Sequence, residues 1–284
     1  MSFGPRPWQQ RHWDWRAACN FVFGGAGSGL IVAAVLTGSP SGSVEMFVGL
    51  GFVALGLGAV WLEIGRPWRA INVMFNPFTS WMTRESFAGL LLFALGLAAA
   101  LSGEAVIGAI SVLAALAALL FVYCQARILG AAKGIPAWRE PALTPLILAT
   151  ALAEGAGFAC LLATLFGDTA GGDTAGLAGG WLALALVVRA IAWTRYRTRV
   201  QASLAPDARM ALGAAGRTLL ALGTLAPLAL LVAGSVINPA APAAMALAGL
   251  AAVAAGWLFK YVLVTRAAYN QGFALPHLPV RGRS

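Results

Sequence analysis

The stretch WLEIGRPWRAINVMFNPFTSWMTRESF, residues 61–87, decides how the rest of the chain is read. An apolar run ends at Glu63, a Gly-Arg-Pro turn follows at residues 65–67, and a second apolar run opens after Arg84 and Glu85. Pro67 has no amide hydrogen to donate and Gly65 tolerates unusual dihedrals, so a helix over the first run stops here. Between the runs lie three arginines (Arg66, Arg69, Arg84), two carboxylates (Glu63, Glu85) and three tryptophans (Trp61, Trp68, Trp81). Tryptophan and arginine at the ends of apolar segments are what a membrane–water boundary selects.

The same pattern extends in both directions. Of the 284 residues 60% are hydrophobic and 10% charged, with a mean hydropathy of +0.81. A soluble domain carries about a quarter charged residues, so the chain is expected to be an all-α polytopic membrane protein. Eight runs approach the ~20 residues that a bilayer core requires, at residues 17–37, 44–64, 86–103, 105–126, 142–166, 177–196, 216–236 and 241–263. Arg6, Arg11 and Arg16 precede the first run as they would in a secretory signal. That run is long for a signal and no small-residue cleavage site follows, so it is expected to be a retained helix.

Residues 1–284 read as a single integral-membrane domain, with 1–135 and 136–284 as candidate halves. Gly24-Gly25-Ala26-Gly27 in the first run is echoed by Glu154-Gly155-Ala156-Gly157 in the fifth. Runs four apart share an orientation, which would make the halves parallel. Glycine and alanine at this spacing let helix backbones approach; the alternative use is a smooth groove for an isoprenoid tail.

The net charge of +9 is spread between the apolar runs rather than gathered on one face, which argues for membrane orientation and against nucleic acid. Basic residues occupy the N-terminal segment, the 65–85 connection, the 127–141 connection (Arg127, Lys133, Arg139), the 195–217 connection (Arg195, Arg197, Arg199, Arg209, Arg217) and the C-terminal segment. The connections near 38–43, 102–105, 167–176 and 237–242 have none. Both termini and every basic connection are therefore expected in the cytoplasm.

Several chemistries lack their residues. The three cysteines, Cys19, Cys124 and Cys160, are far apart and form no C-x-x-C, so this chain is expected to hold no iron–sulfur cluster or zinc. The two histidines, His12 and His277, stand outside the runs, so no haem is expected in it either. No phosphate-binding glycine loop is present, and the serines have no histidine within the runs to activate them.

The segment Glu-Ile-Gly-Arg-Pro-Trp-Arg-Ala, residues 63–70, followed by Ser-Trp-Met-Thr-Arg-Glu, residues 80–85, resembles the connection between the second and third helices of DmsC-type membrane anchors in the wider NrfD-like group. The resemblance is best over residues 8–90, including His-Trp-Asp-Trp-Arg at 12–16 and the glycine-rich run. Over residues 100–284 it rests on span count and hydropathy. Within the group the N-terminal stretch looks most like the anchors of phenylacetyl-CoA:acceptor oxidoreductases. The resemblance implies an integral subunit that exchanges electrons with ubiquinone or menaquinone in the bacterial inner membrane. A four-cluster iron–sulfur subunit and a molybdopterin catalytic subunit would be its partners, besides membrane lipid. It associates Glu85 with quinol binding and makes Asn20 the polar residue early in the first helix near the head group. The family position that is often histidine holds Glu63 here, a departure that keeps acid–base chemistry available.

Beside that resemblance, a polar belt gathers where four predicted helices reach the cytoplasmic boundary: His12, Trp13, Asp14, Asn20, Glu63, Arg66, Trp81, Glu85, Gln125 and Arg127. A quinone head group needs hydrogen-bond partners, a proton donor or acceptor and an apolar pocket, and such a belt offers all three. Glu85 and Glu63 are the candidate acid–base residues, with His12, Trp13, Asn20, Arg66, Trp81 and Arg127 around them. Taken one at a time, these are also ordinary snorkelling residues. Glu154 and Arg189 each lie about twelve residues into their spans from opposite faces, ~18 Å at ~1.5 Å per residue. That places both near the middle of the membrane, where a mutual contact would lower the cost of burying them. The pair would lock two helices or carry a step of a proton path. A mid-membrane Glu/Arg site also suits the competing class, a secondary transporter of a small solute.

Overall fold

A computed structural model describes residues 7–39, 42–64, 67–102, 108–166, 174–237 and 241–272. Eight helices among them are long and apolar enough to cross a membrane: α1 Trp15–Thr37, α2 Gly42–Glu63, α3 Trp81–Leu101, α4 Ala109–Ala131, α5 Leu143–Phe166, α6 Ala175–Ser203, α7 Pro206–Val236 and α8 Ala241–Thr265. Pro67–Phe75 forms a 3-10 helix between α2 and α3, and Pro136–Arg139 a single helical turn between α4 and α5. The described residues hold no strand, only an isolated bridge between Gln9 and Tyr269. The chain is an all-α, multi-pass membrane protein.

Its surface is inverted relative to a soluble fold. Leu55, Leu90 and Leu250 are more than half exposed on the flanks, where lipid tails would meet them. Asn20, Glu85, Gln125, Glu154, Arg189 and Lys260 are buried. α1 and α5 form the centre, with 78% and 67% of their apolar windows buried against 28% for α7. Of the glycine echo, Gly155 lies where these two helices cross, opposite Gly29, while Gly27 faces α2 and Gly157 faces α8. A Cβ on Gly29 would overlap the Ala151 carbonyl, and one on Gly155 would overlap the Gly29 backbone. The small residues thus serve backbone contact here. α1 then ends at Gly38, whose φ of 60° is the left-handed cap that glycine adopts without strain.

Two boundaries differ from the sequence expectation. α3 starts at Trp81 rather than 86, because the Ser80 hydroxyl accepts from the Thr83 amide (3.4 Å) and caps the helix. Arg84 and Glu85 therefore lie within the helix instead of ahead of it. The expected 195–217 connection shrinks to Leu204-Ala205, both buried. Tyr196, Val200, Ala208 and Leu212 bury one face of the two helix ends while the arginines occupy the other, so a charged run continued as amphipathic helix.

The two ends of the described chain meet. Gln10 N donates to Ala268 O (2.9 Å), Asn270 N to Trp8 O (3.0 Å) and Trp8 N to Asn270 Oδ1 (2.9 Å). An even number of crossings requires both ends on one face, and these bonds put them there.

Among the described residues, two helices each contain one π turn, Asn20–Gly24 in α1 and Ala221–Leu225 in α7. The i→i+5 spacing is rare and is found mostly as single turns at functional sites. Both turns here lie beside buried cations.

Candidate functional site

The first π turn aims Asn20 into the bundle. Its Nδ2 donates to Glu85 Oε1 at 2.8 Å, joining α1 to the second turn of α3. From α4, Gln125 Nε2 donates to the backbone carbonyl of Asn20 at 2.8 Å and flanks the same carboxyl group. Asn20 is 5% exposed, Glu85 6% and Gln125 0%. Gly24 makes room for them, since a Cβ there would sit 2.6 Å from Gln125 Nε2. Two acceptors in this cluster, Asn20 Oδ1 and Gln125 Oε1, are buried with no hydrogen-bond partner among the described residues. Orphaned buried acceptors are rare and costly, and they invite an O–H or N–H donor.

The other belt residues divide into separate groups. Trp81 is half-buried, with the Arg84 guanidinium 4.2 Å and that of Arg127 5.0 Å from its ring centroid, and it meets Tyr123 edge-on at 5.7 Å. Trp13 stacks on Trp138 at 4.9 Å, as part of the core near Phe21. His12 is exposed, and its backbone amide donates to Gln10 Oε1. Glu63 faces Asp14 and Arg16, not Glu85, so the two candidate carboxylates stand in different clusters. Arg16 bridges Asp14 at 2.9 Å and also donates to Leu62 O at 3.2 Å. The Arg16 guanidinium holds the Asp14 carboxyl below the usual carboxylate range. Arg66 lies outside the described residues.

Glu154 and Arg189 are both fully buried and form no direct salt bridge, while Glu154 Oε1 and Arg189 Nε each lack a hydrogen-bond partner among the described residues. Glu154 Oε2 accepts from Lys260 Nζ at 2.5 Å. Lys260 also donates to Phe21 O at 2.7 Å and Val22 O at 3.2 Å, which are carbonyls of the first π turn. Arg189 donates from Nη1 to Ala252 O at 3.1 Å, and from Nη2 to Gly223 O in the second π turn and to Thr224 Oγ1 at 3.5 Å. Each buried cation thus donates to at least one carbonyl that a π turn presents, and Arg189 Nε is left without a partner among the described residues. Lys260 was missed in sequence because it stands in the last turns of its span, where a lysine ordinarily snorkels outward. Its signal was present nonetheless: α8 carries one basic residue, and an acidic partner was already noted at depth in α5.

Neither a family model nor a curated protein matches the chain. The fold and the buried polar groups define it as an all-α polytopic membrane protein with charged and hydrogen-bonding side chains inside its bundle.

Proposed function

We infer that this chain is the quinone-binding membrane anchor of an oxidoreductase complex in the bacterial cytoplasmic membrane. An iron–sulfur subunit would dock on its basic face, with a molybdopterin subunit beyond. The observation that carries this reading is the buried Glu85 carboxyl held by Asn20, with Asn20 Oδ1 and Gln125 Oε1 left without donors. Two adjacent acceptors beside a carboxyl group suit a quinol hydroxyl. When bound, a quinone supplies two-electron, two-proton redox chemistry. The chain's own part is narrower: Asn20 and Gln125 would orient the head group, and Glu85 would take or return a proton at its carboxyl oxygen. Trp81 and Tyr123 offer an aromatic wall close by. The resemblance of residues 63–70 and 80–85 to DmsC-type connections supports the same site.

A complex purified through this chain should lose quinone-linked turnover about 100-fold on Glu85→Gln, the usual scale for removing a general acid–base group. Electron transfer to an artificial dye should persist, because that route bypasses the membrane site. Unchanged quinone turnover would refute the assignment. The buried Glu154, Lys260 and Arg189 favour one competitor, a secondary transporter. Co-isolation separates the two, since an anchor brings iron–sulfur and molybdopterin subunits with it and a transporter does not.

A further inference from the structure

The ends of α6 and α7 enclose a cleft of about 240 Å³. Trp193, Arg197 and Gln201 line it from α6, and Arg209, Gly213 and Arg217 from α7. Each set has a spacing of four residues, so each forms one stripe along its helix. The missing side chain at Gly213 leaves space between the two α7 arginines; a Cβ there would meet Arg217 Nη1 only at 3.8 Å.

The chemistry of the lining is one-sided. All three arginines are exposed. Among the described residues the ion pairs are Arg16–Asp14 and Lys260–Glu154, so none of the three has a carboxylate partner. Arg209 gives one bond to Leu204 O at 3.3 Å. Trp193, which lines the same cleft, is 2% exposed, and its indole N–H has no acceptor among the described residues. Unpaired cations and a buried donor that lacks a partner are complementary to an anion.

Depth identifies the kind of anion. At ~1.5 Å per residue, the 29 residues of α6 and 31 of α7 run roughly 43 and 46 Å, against a hydrocarbon core of ~30 Å. The excess carries the arginine-bearing ends into the headgroup layer. Met210, 68% exposed, stands at the cleft, and Leu222 and Leu225, also exposed, continue α7 toward the hydrocarbon. An acidic protein surface would match the charge but would not need that apolar continuation.

We propose that this cleft binds the phosphodiester headgroup of an anionic phospholipid, with Arg197, Arg209 and Arg217 on the phosphate oxygens and the Trp193 indole N–H as the buried donor. The site lies apart from the Asn20–Glu85 cluster and does not depend on the quinone reading.

The test is native mass spectrometry of the protein released from nanodiscs containing phosphatidylglycerol or phosphatidylcholine. Wild-type protein should retain phosphatidylglycerol selectively. Arg197→Gln, Arg209→Gln and Arg217→Gln together should weaken retention roughly 100-fold, because each basic residue near the surface contributes about fivefold. Arg195→Gln with Arg199→Gln, two arginines outside this lining, should leave it intact. Trp193→Phe keeps an aromatic ring but loses the N–H together with part of the indole, and should weaken it severalfold in a protein that still elutes as wild type by size exclusion. Equal retention in the triple variant, or equal loss in the Arg195/Arg199 control, would overturn the proposal. Displacement of the lipid by millimolar inorganic phosphate would identify a free-anion site instead. No preference for phosphatidylglycerol would also overturn it and leave the arginines to an acidic protein surface.

Discussion

Lys260→Met removes a cation that three acceptors share inside the bundle. The Glu154 carboxylate loses its 2.5 Å partner, and the Phe21 and Val22 carbonyls lose a donor but keep the backbone amide of Gly25. Breaking a fully buried ion pair by deleting one member costs about 3–5 kcal/mol, because the other charge is left uncompensated. The two carbonyls add little, since each retains a partner. That cost is a loss of roughly two to four powers of ten in the folding equilibrium. Denaturation of the purified protein in mixed micelles, followed by tryptophan fluorescence, measures it directly. Combining Glu154→Gln with Lys260→Met removes both charges and should recover about 2–3 kcal/mol of the single-variant loss. Additive losses, or a Lys260→Met cost under about 1 kcal/mol, would show that the pair does not hold the fifth and last helices together.

Reporter fusions after Gly38 and Ile237 should report the outer face, and fusions after Asn76 and Lys133 the cytoplasm; the reverse pattern would refute the orientation. Gly29→Val should prevent stable folding, as judged by size exclusion, because its Cβ overlaps the Ala151 carbonyl at the central crossing. Asp14→Ala should cost about 1 kcal/mol by removing the cap of α1. The folded-state pKa of Asp14 is depressed, so its contribution should be complete above the unfolded carboxylate range near ~3.9 and fade as pH falls through the lower folded value. A melting temperature of Asp14→Ala equal to wild type at pH 7 would contradict this.

The eight crossings were legible because length and apolar composition alone specify them. Their ends were not. Polar residues at 80–85 looked like a connection, although Ser80 is a cap that lets Arg84 and Glu85 lie within a helix. Arginines at 195–217 likewise looked like a loop and turned out to be the wet side of two helix ends. Asn20 and Glu85 were picked out separately in sequence, and their hydrogen bond depends on a π turn whose spacing leaves no pattern in the residues. Lys260, the direct partner of Glu154, escaped the sequence for a related reason. Depth arguments place a charge along the membrane normal but say nothing of which neighbour its helix faces, and Glu154 faces α8.

The bond from Lys260 to Phe21 spans 239 positions. A ribosome adding about 5–20 residues per second reaches Lys260 roughly 12–48 s after Phe21. For that interval the Phe21 and Val22 carbonyls of the α1 π turn have only the Gly25 amide as donor, because the ammonium group that joins them has yet to be synthesised. A nascent chain interrupted before α8 would therefore expose its most central helix unsealed, marking it for an insertase to hold or a protease to remove.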